Sequence, residues 1–317
     1  MEKQKIKKSG VLLTIAGGIC WGISGCFGQY MFQEKGVTAE WLVSIRLLSA
    51  GILLLLIGYI HQGKERMHEV FRQRADLKKL LIFSACGMLF CQYTYFASVH
   101  HSTAGTATVL QSLAPTVILM YVCLRKPRLP RVFEVFAVAA AIFGVFLLST
   151  HGNIHNMLLT EQALFFGLAS AVGAALYNLL AAEILRKYGV YIIVGYGMLF
   201  AGIMLSAVVR PWAVSVVIDQ ETIVCLLGVI VIGTAIAFSL YLKGVSMVGP
   251  FMGSLLATVE PVTAIVVSFL FLGSQFQWID LLGFALILGT VLLMSLRSPH
   301  EEASKSEEAA EPMEGRQ

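Results

Sequence analysis

The sequence predicts an all-α integral membrane protein with ten transmembrane helices, arranged as two inverted five-helix repeats. Among its 317 residues 57% are apolar and 13% are charged, and the mean hydropathy is +0.78, values that exclude a soluble domain of this length. The second half also repeats the first with a shift of 146 residues, so that Tyr95 falls on Tyr241 and Pro115 on Pro261. Internal repeats of this kind are typical of transporters.

Five apolar stretches, each about 20 residues long, occur in each half. In the first half they lie near residues 11–31, 38–60, 79–98, 104–124 and 132–150. In the second half they lie near residues 163–183, 191–212, 221–243, 249–271 and 277–296. At about 1.5 Å per residue, each stretch crosses a hydrocarbon core of about 30 Å. Because five is an odd number, the two halves are expected to enter the membrane with opposite orientations.

The segments between and beyond these stretches define the expected organisation. The expected parts are a cytoplasmic N-terminus (1–10), a first repeat (11–150), a second repeat (163–296) and an acidic cytoplasmic tail (297–317). The tail is expected to be disordered, because it is charged and lacks aromatic residues. Residues 100–103 and 244–248 form short links between neighbouring spans. Residues 61–79 are predicted to form a solvated basic loop, with an amphipathic surface helix as the alternative.

The basic residues predict the orientation. When the ten spans are threaded from an internal N-terminus, 20 of the 23 Lys and Arg residues fall in segments assigned to the inside. Lys35 and Arg210 fall outside, and Arg46 lies within a span. By the positive-inside rule both termini are cytoplasmic, and we expect a multi-pass protein of the cell (plasma) membrane. The net charge of +4 follows from this bias and indicates no nucleic-acid partner.

No residue pattern indicates catalysis, a cofactor or a metal site. The six cysteines lie in apolar stretches without a Cys-x-x-Cys motif, so we expect them to pack as small apolar residues. No phosphate loop, dinucleotide fingerprint or hydrolase nucleophile motif occurs in the sequence. The chain is therefore not expected to be an enzyme, to hold a cofactor or to use ATP directly.

Two charged residues lie deep within predicted spans. Arg46 lies about 12 Å into the second span and Glu260 about 16 Å into the ninth, so both are near the membrane midplane. A charge at this depth costs about 2.5 to 3.5 kcal/mol, so each side chain needs a partner or a hydrated cavity. We interpret Glu260 either as a residue facing the substrate, as a proton carrier or counter-ion, or as a structural partner of Arg46 or of a backbone carbonyl. For Arg46 we favour a structural role, with substrate binding or coupling as the alternative.

Two prolines lie within predicted spans at matching positions of the two halves. A proline removes a backbone N–H and disfavours helix at the residue before it, so the helices that contain Pro115 and Pro261 are expected to be interrupted. Interrupted helices at matching positions predict a solute site near the midplane. A packing kink without a ligand is the alternative.

Further polar and aromatic side chains at similar depth are candidates for contacting the solute. They are Trp21, Gln92, Tyr93, Gln111, Tyr177 and Asn178. For each residue taken alone, packing between helices is the alternative interpretation. As a set with Glu260, these indole, phenol, amide and carboxylate groups suit a small organic solute better than an inorganic ion.

These residues resemble the EamA-type, ten-helix branch of the drug/metabolite transporter superfamily over residues 10–297. The resemblance rests on Trp21-Gly22, Arg46-Leu47-Leu48, Tyr95 through Pro115, Glu260-Pro261, Gly283 and Gly289. It implies secondary transport of metabolites by alternating access, with a central cavity between the halves. The chain departs from the family where a Gly-Glu pair commonly precedes the last helix, since Gly273 is followed by Ser274. We interpret Glu134 and Asp280 as interfacial residues at helix N-termini, where a negative charge is favourable.

The predicted function is secondary active transport of a small organic solute, an amino acid or related metabolite, in the direction of export. A proton is the coupling ion considered, with Glu260 as its carrier. The alternative is a membrane channel or a receptor-like solute-binding protein without alternating access. The partners expected are the solute and the lipid bilayer. Small residues spaced by four, such as Gly18 and Gly22, serve either internal packing, which we favour, or a homodimer.

Overall fold

The computed structural model describes residues 2–125, 132–153, 158–248 and 250–308, and within these ranges it contains helices and no strands. The all-α class predicted from the sequence is therefore confirmed. The helices are numbered in chain order, and an interrupted helix is counted once. They are α1 (Glu2–Lys35), α2 (Ala39–Arg72), α3 (Arg74–Ile82, Phe83–Leu89 and Phe90–His101), α4 (Ala104–Gln111 and Ala114–Arg125), α5 (Val132–Thr150), α6 (Glu161–Tyr188), α7 (Val190–Val209), α8 (Gln220–Leu227, Gly228–Ile236 and Ala237–Val248), α9 (Pro250–Ala257 and Val259–Phe271) and α10 (Trp278–Glu308).

Eight of these helices, α1 to α8, are long and apolar enough to cross a membrane, judged by length and composition. The longer segment of α9 is Val259–Phe271, and the apolar part of α10 covers Trp278–Leu293. Both are apolar but have fewer than the 18 residues required of a membrane span. The chain is thus a multi-pass membrane protein, as predicted. The count of ten spans and the inverted orientation of the two halves stay predictions.

Helices α4 and α9 are each broken just before a proline. Helix α4 breaks at residues 112–113, and Pro115 is the second residue of the segment that follows. Helix α9 breaks at Thr258, and Pro261 is the third residue of the segment that follows. Proline is tolerated at these positions because the first turn of a helix needs no N–H donor for an intrahelical bond. The two breaks are separated by the same 146 residues that relate the halves of the sequence.

Helices α3 and α8 each contain a π-helical stretch, Phe83–Leu89 in α3 and Gly228–Ile236 in α8. Such stretches are uncommon in proteins and occur frequently at functional sites. A Cβ atom placed on Gly87 would lie 3.3 Å from Cα of Tyr177 in α6, so the two helices pack closely there. These π-helical stretches also occupy corresponding positions in the two sequence halves.

The main helix pairs each join one helix from the first half to one from the second. Helix α1 packs along both α8 and α9, α2 along α7, α3 along α6 and α5 along α10, while α4 contacts both α6 and α9. Glycines allow several of these close approaches: a Cβ on Gly51 of α2 would lie 2.6 Å from the backbone nitrogen of Leu199 in α7. A Cβ on Gly173 of α6 would lie 2.6 Å from Cα of Cys91 in α3. The two halves are therefore interleaved rather than packed as separate bundles.

The structure corrects the interpretation of residues 61–79 as a solvated loop. Helix α2 continues to Arg72 through a kink at Gly63, whose φ of 79° suits glycine, and α3 begins at Arg74. The segment is helical because Lys, Glu and Arg are strong helix formers and the glycine redirects the chain. Val70 and Asp76 in this segment are buried, so it also packs against the bundle.

Helices α10 and α8 extend beyond the predicted spans. Helix α10 continues to Glu308, and residues 309–317 lie outside the described part of the chain, while the disorder expected after residue 297 stays a prediction. Ala-rich and Glu-rich sequence has high helix propensity, which favours this extension. Residues 244–248 belong to α8 instead of forming a link. Of the predicted link 100–103, residues 100 and 101 belong to α3, and only residues 102–103 separate α3 from α4. Thr103 caps α4 by accepting the N–H of Thr106.

Candidate functional site

Arg46 of α2 is buried in the interior of the helical bundle. Its Nη1 donates a hydrogen bond of 2.8 Å to Oε1 of Gln92 in α3, and its guanidinium carbon lies 4.9 Å from the ring centroid of Phe96. Its Nε has no hydrogen-bond partner, although the residue is only 6% exposed. Arginine carries five N–H donors, so this buried cation has donor capacity left for a ligand.

Glu260 of α9 lies in the first turn after the helix break and is half-buried. Within the described residues its carboxylate makes no hydrogen bond and no ion pair, although Arg46 is near enough for their charges to interact. The distance between their charged atoms exceeds the 4.0 Å of an ion pair. The structural Arg46–Glu260 pair considered from the sequence is therefore not formed here, and Gln92 occupies the role of partner to Arg46.

Trp21 of α1 directly precedes Gly22, the residue at which α1 meets α9. A Cβ on Gly22 would lie 2.6 Å from the carbonyl oxygen of Glu260, so α1 and α9 are in backbone contact there. The Trp21 ring packs on two rings of α8, with centroid distances of 5.2 Å to Phe238 and 4.9 Å to Tyr241. Tyr241 is within electrostatic range of Glu260, so this aromatic group lies in the same region of the bundle as the carboxylate.

Tyr95 of α3 is within electrostatic range of both Arg46 and Glu260. Its Oη lies 3.0 Å from Oγ1 of Thr108 in α4, and its ring packs edge to face on Phe96 at 5.0 Å. Gly25 of α1 faces the Tyr95 hydroxyl. Tyr95, Phe96, Phe238 and Tyr241 were not among the predicted site residues, although the 146-residue shift that pairs Tyr95 with Tyr241 had marked two of them.

Of the remaining predicted residues, Gln111 is near this region and Tyr177 lies behind it. Nε2 of Gln111 lies 3.6 Å from Sγ of Cys91, a residue of α3 in electrostatic range of Arg46. The Tyr177 ring packs on Phe83 of the π-helical stretch at 5.2 Å. Gln111 can thus reach a solute held near Arg46, whereas Tyr177 buttresses α3.

Tyr93 and Asn178 point away from this region. The Tyr93 hydroxyl donates to Oε1 of Glu40 at 2.9 Å, and Asn178 is exposed and donates to the Ala174 carbonyl at 2.7 Å. Adjacent helical residues are separated by about 100°, so Tyr93 diverges from Gln92, and Asn178 from Tyr177. The structure does not bring these two predicted residues to the site.

Two polar clusters close the ends of the helix pairs α1–α8 and α3–α6. At one end, Nζ of Lys35 lies 2.7 Å from Oδ2 of Asp219, and Tyr30 donates to Oε2 of Glu221 at 3.0 Å. The Lys35 ammonium, with the Thr222 N–H at 2.8 Å, holds the pKa of the Asp219 carboxyl well below its usual range. We call these residues the Lys35 cluster.

The second cluster lies at the opposite end of the bundle. Nζ of Lys187 and the hydroxyl of Tyr188, both at the end of α6, each donate to Oδ2 of Asp76 at 2.6 Å. We call these residues the Lys187 cluster. Each cluster thus combines a lysine and a tyrosine of one helix with an acidic residue at the start of its partner helix.

A buried glutamine ties three helices together near the Lys35 cluster. Oε1 of Gln29 in α1 accepts from the Ala104 N–H of α4 at 2.8 Å and from the Ser268 hydroxyl of α9 at 3.0 Å. Its Nε2 donates to Oγ of Ser274 at 3.0 Å. All these groups are buried, so the bundle is held closed at this end by bonds between the two halves.

Asp280 and Glu134 both lie in the first turn of a helix, α10 and α5 respectively. Asp280 accepts from the Gln277 N–H at 2.8 Å and lies 2.6 Å from Nε2 of His151. These positions are consistent with the interpretation of both residues as N-terminal helix residues. Among the residues that the structure describes, no three His, Cys, Asp or Glu side chains are grouped closely enough to hold a metal ion.

Comparison with known proteins places this architecture in a family. Residues 8–150 and residues 162–296 each match the EamA-like transporter family. The chain belongs to this family. The membrane-transporter class predicted from the sequence is therefore shown, and the two matched ranges correspond to the two halves related by the 146-residue shift.

Relatives in the EamA family are similar over nearly their whole length. The chain is 35% identical over 291 residues to the uncharacterized inner membrane transporter YicL of Salmonella typhimurium, covering 92% of this chain and 96% of that protein. It is 24% identical over 301 residues to the uncharacterized transporter YcbK of Bacillus subtilis, covering 89% and 92%. A crystal structure of another protein, 15% identical, superposes with a TM-score of 0.58 over 93% of this chain and 99% of that one, which indicates a shared fold.

Proposed function

We propose that this EamA-family protein is a secondary active transporter of a small zwitterionic solute, an amino acid or a related metabolite. The observation that carries the proposal is that Arg46 and Glu260 lie near each other without forming an ion pair. A buried cation with a free N–H lies within electrostatic range of a carboxylate that has no hydrogen-bond or ion-pair partner among the described residues. Such charges are tolerated at membrane depth when they face a substrate or a hydrated cavity.

An amino acid has the complementary pair of charges. Its carboxylate would accept N–H groups of Arg46, and its ammonium would donate to Glu260. The aromatic rings of Trp21, Tyr95 and Phe96 would contact its side chain, as apolar walls do in most small-molecule sites. An inorganic ion has no side chain that could contact these rings.

Alternating access is supported by the arrangement of the helices. Interrupted α4 and α9, π-helical α3 and α8, and two similar end clusters occur in related pairs. Inverted repeats with broken helices at the solute site generate two mirror-related states by rocking one group of helices against the other. We therefore propose ten spans in two inverted repeats, divided as residues 11–150 and 163–296.

The proposed direction is export, in the cell membrane, with both termini cytoplasmic, and with a proton carried by Glu260 as the coupling ion. The membrane potential is sufficient for this work, since one elementary charge moving through 100 mV releases about 2.3 kcal/mol. That energy corresponds to a gradient of nearly two decades. Gly22 packs against α9 of the same chain. This contact favours packing within the bundle over a homodimer for the face of α1 that contains Gly18 and Gly22.

A thermal-unfolding screen of the purified protein tests the binding part of the proposal. We expect α-amino acids to raise the unfolding temperature, and we expect their methyl esters and their decarboxylated amines to have no effect. A ligand at 100 times its Kd stabilises the folded state by about 2.7 kcal/mol, which such a screen detects. Equal stabilisation by the amines alone would contradict the role given to Arg46.

A further inference from the structure

A groove with a volume of about 930 Å³ runs along α1 below the Lys35 cluster, between α8 and α9. Its apolar lining includes Ile23 and Phe27 of α1, Val224 of α8, and Val267 and Phe271 of α9. The α1 residues of the lining are spaced by three and four positions, so they share one face of the helix. The lining residues of α1 run from Ile23 to Tyr30, which spans about 10 Å along the helix axis.

The groove opens to the exterior of the bundle through apolar walls. Val224 is 53% exposed and Phe271 is 78% exposed on its rim. Both residues belong to apolar helices of a membrane protein, so this surface faces lipid rather than water. The acyl chain of a membrane lipid, rather than a soluble ligand, therefore has direct access to the groove.

The Lys35 cluster lies where this groove reaches the end of the helices. Asp219, Glu221 and Tyr30 of the cluster also line the groove. Both oxygens of Asp219 are occupied, Oδ2 by Lys35 and Oδ1 by the Thr222 N–H. With one lysine and two carboxylates, the cluster has a net charge of −1.

The hydrogen-bond capacity of the cluster is not exhausted. Oε2 of Glu221 accepts from both Tyr30 and Lys35, whereas its Oε1 has no partner among the described residues. Glu221 has a side chain that is 63% exposed, so Oε1 is accessible. Lys35 has three N–H donors and uses two of them on Asp219 and Glu221. One acceptor and one donor are thus left side by side at the mouth of an apolar groove.

We propose that the groove binds a phospholipid whose headgroup carries a primary ammonium, as phosphatidylethanolamine does. Its ammonium donates to Oε1 of Glu221, its phosphate accepts the remaining N–H of Lys35, and one acyl chain occupies the groove. A choline headgroup has no N–H to donate, and a glycerol headgroup has no positive charge to offset the net charge of the cluster. The site therefore distinguishes an ethanolamine lipid from phosphatidylcholine and phosphatidylglycerol.

Native mass spectrometry of the full chain tests the proposal. The protein is released from nanodiscs that contain equal amounts of phosphatidylethanolamine, phosphatidylcholine and phosphatidylglycerol, and the retained lipids are counted. We expect the wild type to retain phosphatidylethanolamine preferentially. Equal retention of the three lipids by the wild type would overturn the proposal without any variant being made.

Two variants and one control locate the binding. Glu221→Gln should lower retention of phosphatidylethanolamine about fivefold, the effect of one partly exposed charge interaction, and leave phosphatidylcholine unchanged. Val224→Trp fills the exposed side of the groove and should lower retention of every lipid. Glu183→Gln removes an exposed carboxylate paired with Lys79 at the opposite end and should change nothing. Unchanged retention in both groove variants would overturn the proposal.

A soluble headgroup separates a lipid site from a site for the headgroup alone. Phosphoethanolamine without acyl chains should not displace the lipid, because the chain supplies the apolar contact with the groove. Displacement by phosphoethanolamine at concentrations similar to the lipid would contradict the proposal. This readout requires no transport, so its failure is distinguishable from failure of the proposed transport function.

Discussion

Lys35 and Lys187 end their helices in the same way. Lys35 of α1 lies 2.7 Å from Asp219 at the start of α8, and Lys187 of α6 lies 2.6 Å from Asp76 at the start of α3. In each cluster a tyrosine on the same helix as the lysine donates a hydrogen bond to a carboxylate of the partner helix. Tyr30 donates to Glu221, and Tyr188 donates to Asp76. The pairs α1–α8 and α6–α3 are therefore fastened at opposite ends of the bundle by similar chemistry.

Removing the charge of Asp76 is expected to lower the unfolding temperature. Asp76→Asn weakens the bonds from Lys187 and from the buried hydroxyl of Tyr188 at once. Glu183→Gln breaks an exposed pair with Lys79 at the same end of the bundle and provides the control, since such surface pairs contribute little. Thermal unfolding of the detergent-solubilised variants measures the effect. Equal midpoints for the two variants would show that the Lys187 cluster does not fasten α6 to α3.

Stability should depend on pH through Asp219. Its pKa is lowered in the folded protein by Lys35, so its contribution is fully present above the unfolded-state pKa of about 3.9 and is lost as the pH falls through the lower folded-state pKa. The difference in unfolding temperature between wild type and Asp219→Asn should be constant above about pH 5 and should shrink below about pH 4. Asparagine is as good an N-cap as aspartate, so the variant keeps the start of α8. A difference that is the same at every pH would contradict the ion pair.

The contact of α1 with α9 at Gly22 should not tolerate a side chain. A Cβ at this position would lie 2.6 Å from the Glu260 carbonyl and 2.8 Å from Cβ of Thr263, so Gly22→Ala forces the helices apart. We expect a loss of about 1 to 3 kcal/mol, as for other overpacked sites, together with weaker ligand binding. Gly289→Ala in α10 is the matched control, because its Cβ would have no atom within 4 Å and should be neutral or stabilising. Denaturant unfolding of both variants gives the comparison.

Replacing the guanidinium of Arg46 should weaken binding of the solute's carboxylate. Arg46→Lys keeps the positive charge but reduces the number of N–H donors and loses the planar geometry. We expect affinity for an amino acid to fall about tenfold or more, the effect of one hydrogen bond to a charged group. Isothermal titration calorimetry measures this change. If Arg46→Lys bound the amino acid with unchanged affinity, Arg46 would be a structural partner of Gln92 alone.

The helices and their interruptions were predictable because they depend on residues that are close in the sequence. Apolar runs indicated the membrane helices, and Pro115 and Pro261 marked the breaks. For residues 61–79 a helix was only the alternative to a solvated loop, because a segment that mixes charged and apolar residues does not distinguish the two. Its helix is stabilised by packing of residues such as Val70, which only the tertiary structure shows.

The site was only partly predictable for a related reason. Depth in a span identified Arg46 and Glu260, but depth does not say which way a side chain points, and Tyr93 and Asn178 face elsewhere. The end clusters join residues far apart in sequence, such as Asp76 and Lys187, which are separated by 111 positions. No local sequence pattern indicates that pairing, so the clusters could be identified only from the tertiary structure.

Counterflow in liposomes tests the central claim most directly. Purified wild type is reconstituted, the vesicles are preloaded with an unlabelled amino acid that stabilises the protein, and entry of the labelled amino acid is followed. A carrier with alternating access should show accelerated entry and a transient overshoot, and Glu260→Gln should reduce both while retaining the wild-type fold. Entry that is unaffected by preloading would contradict alternating access and would favour a channel or a solute-binding protein that does not transport.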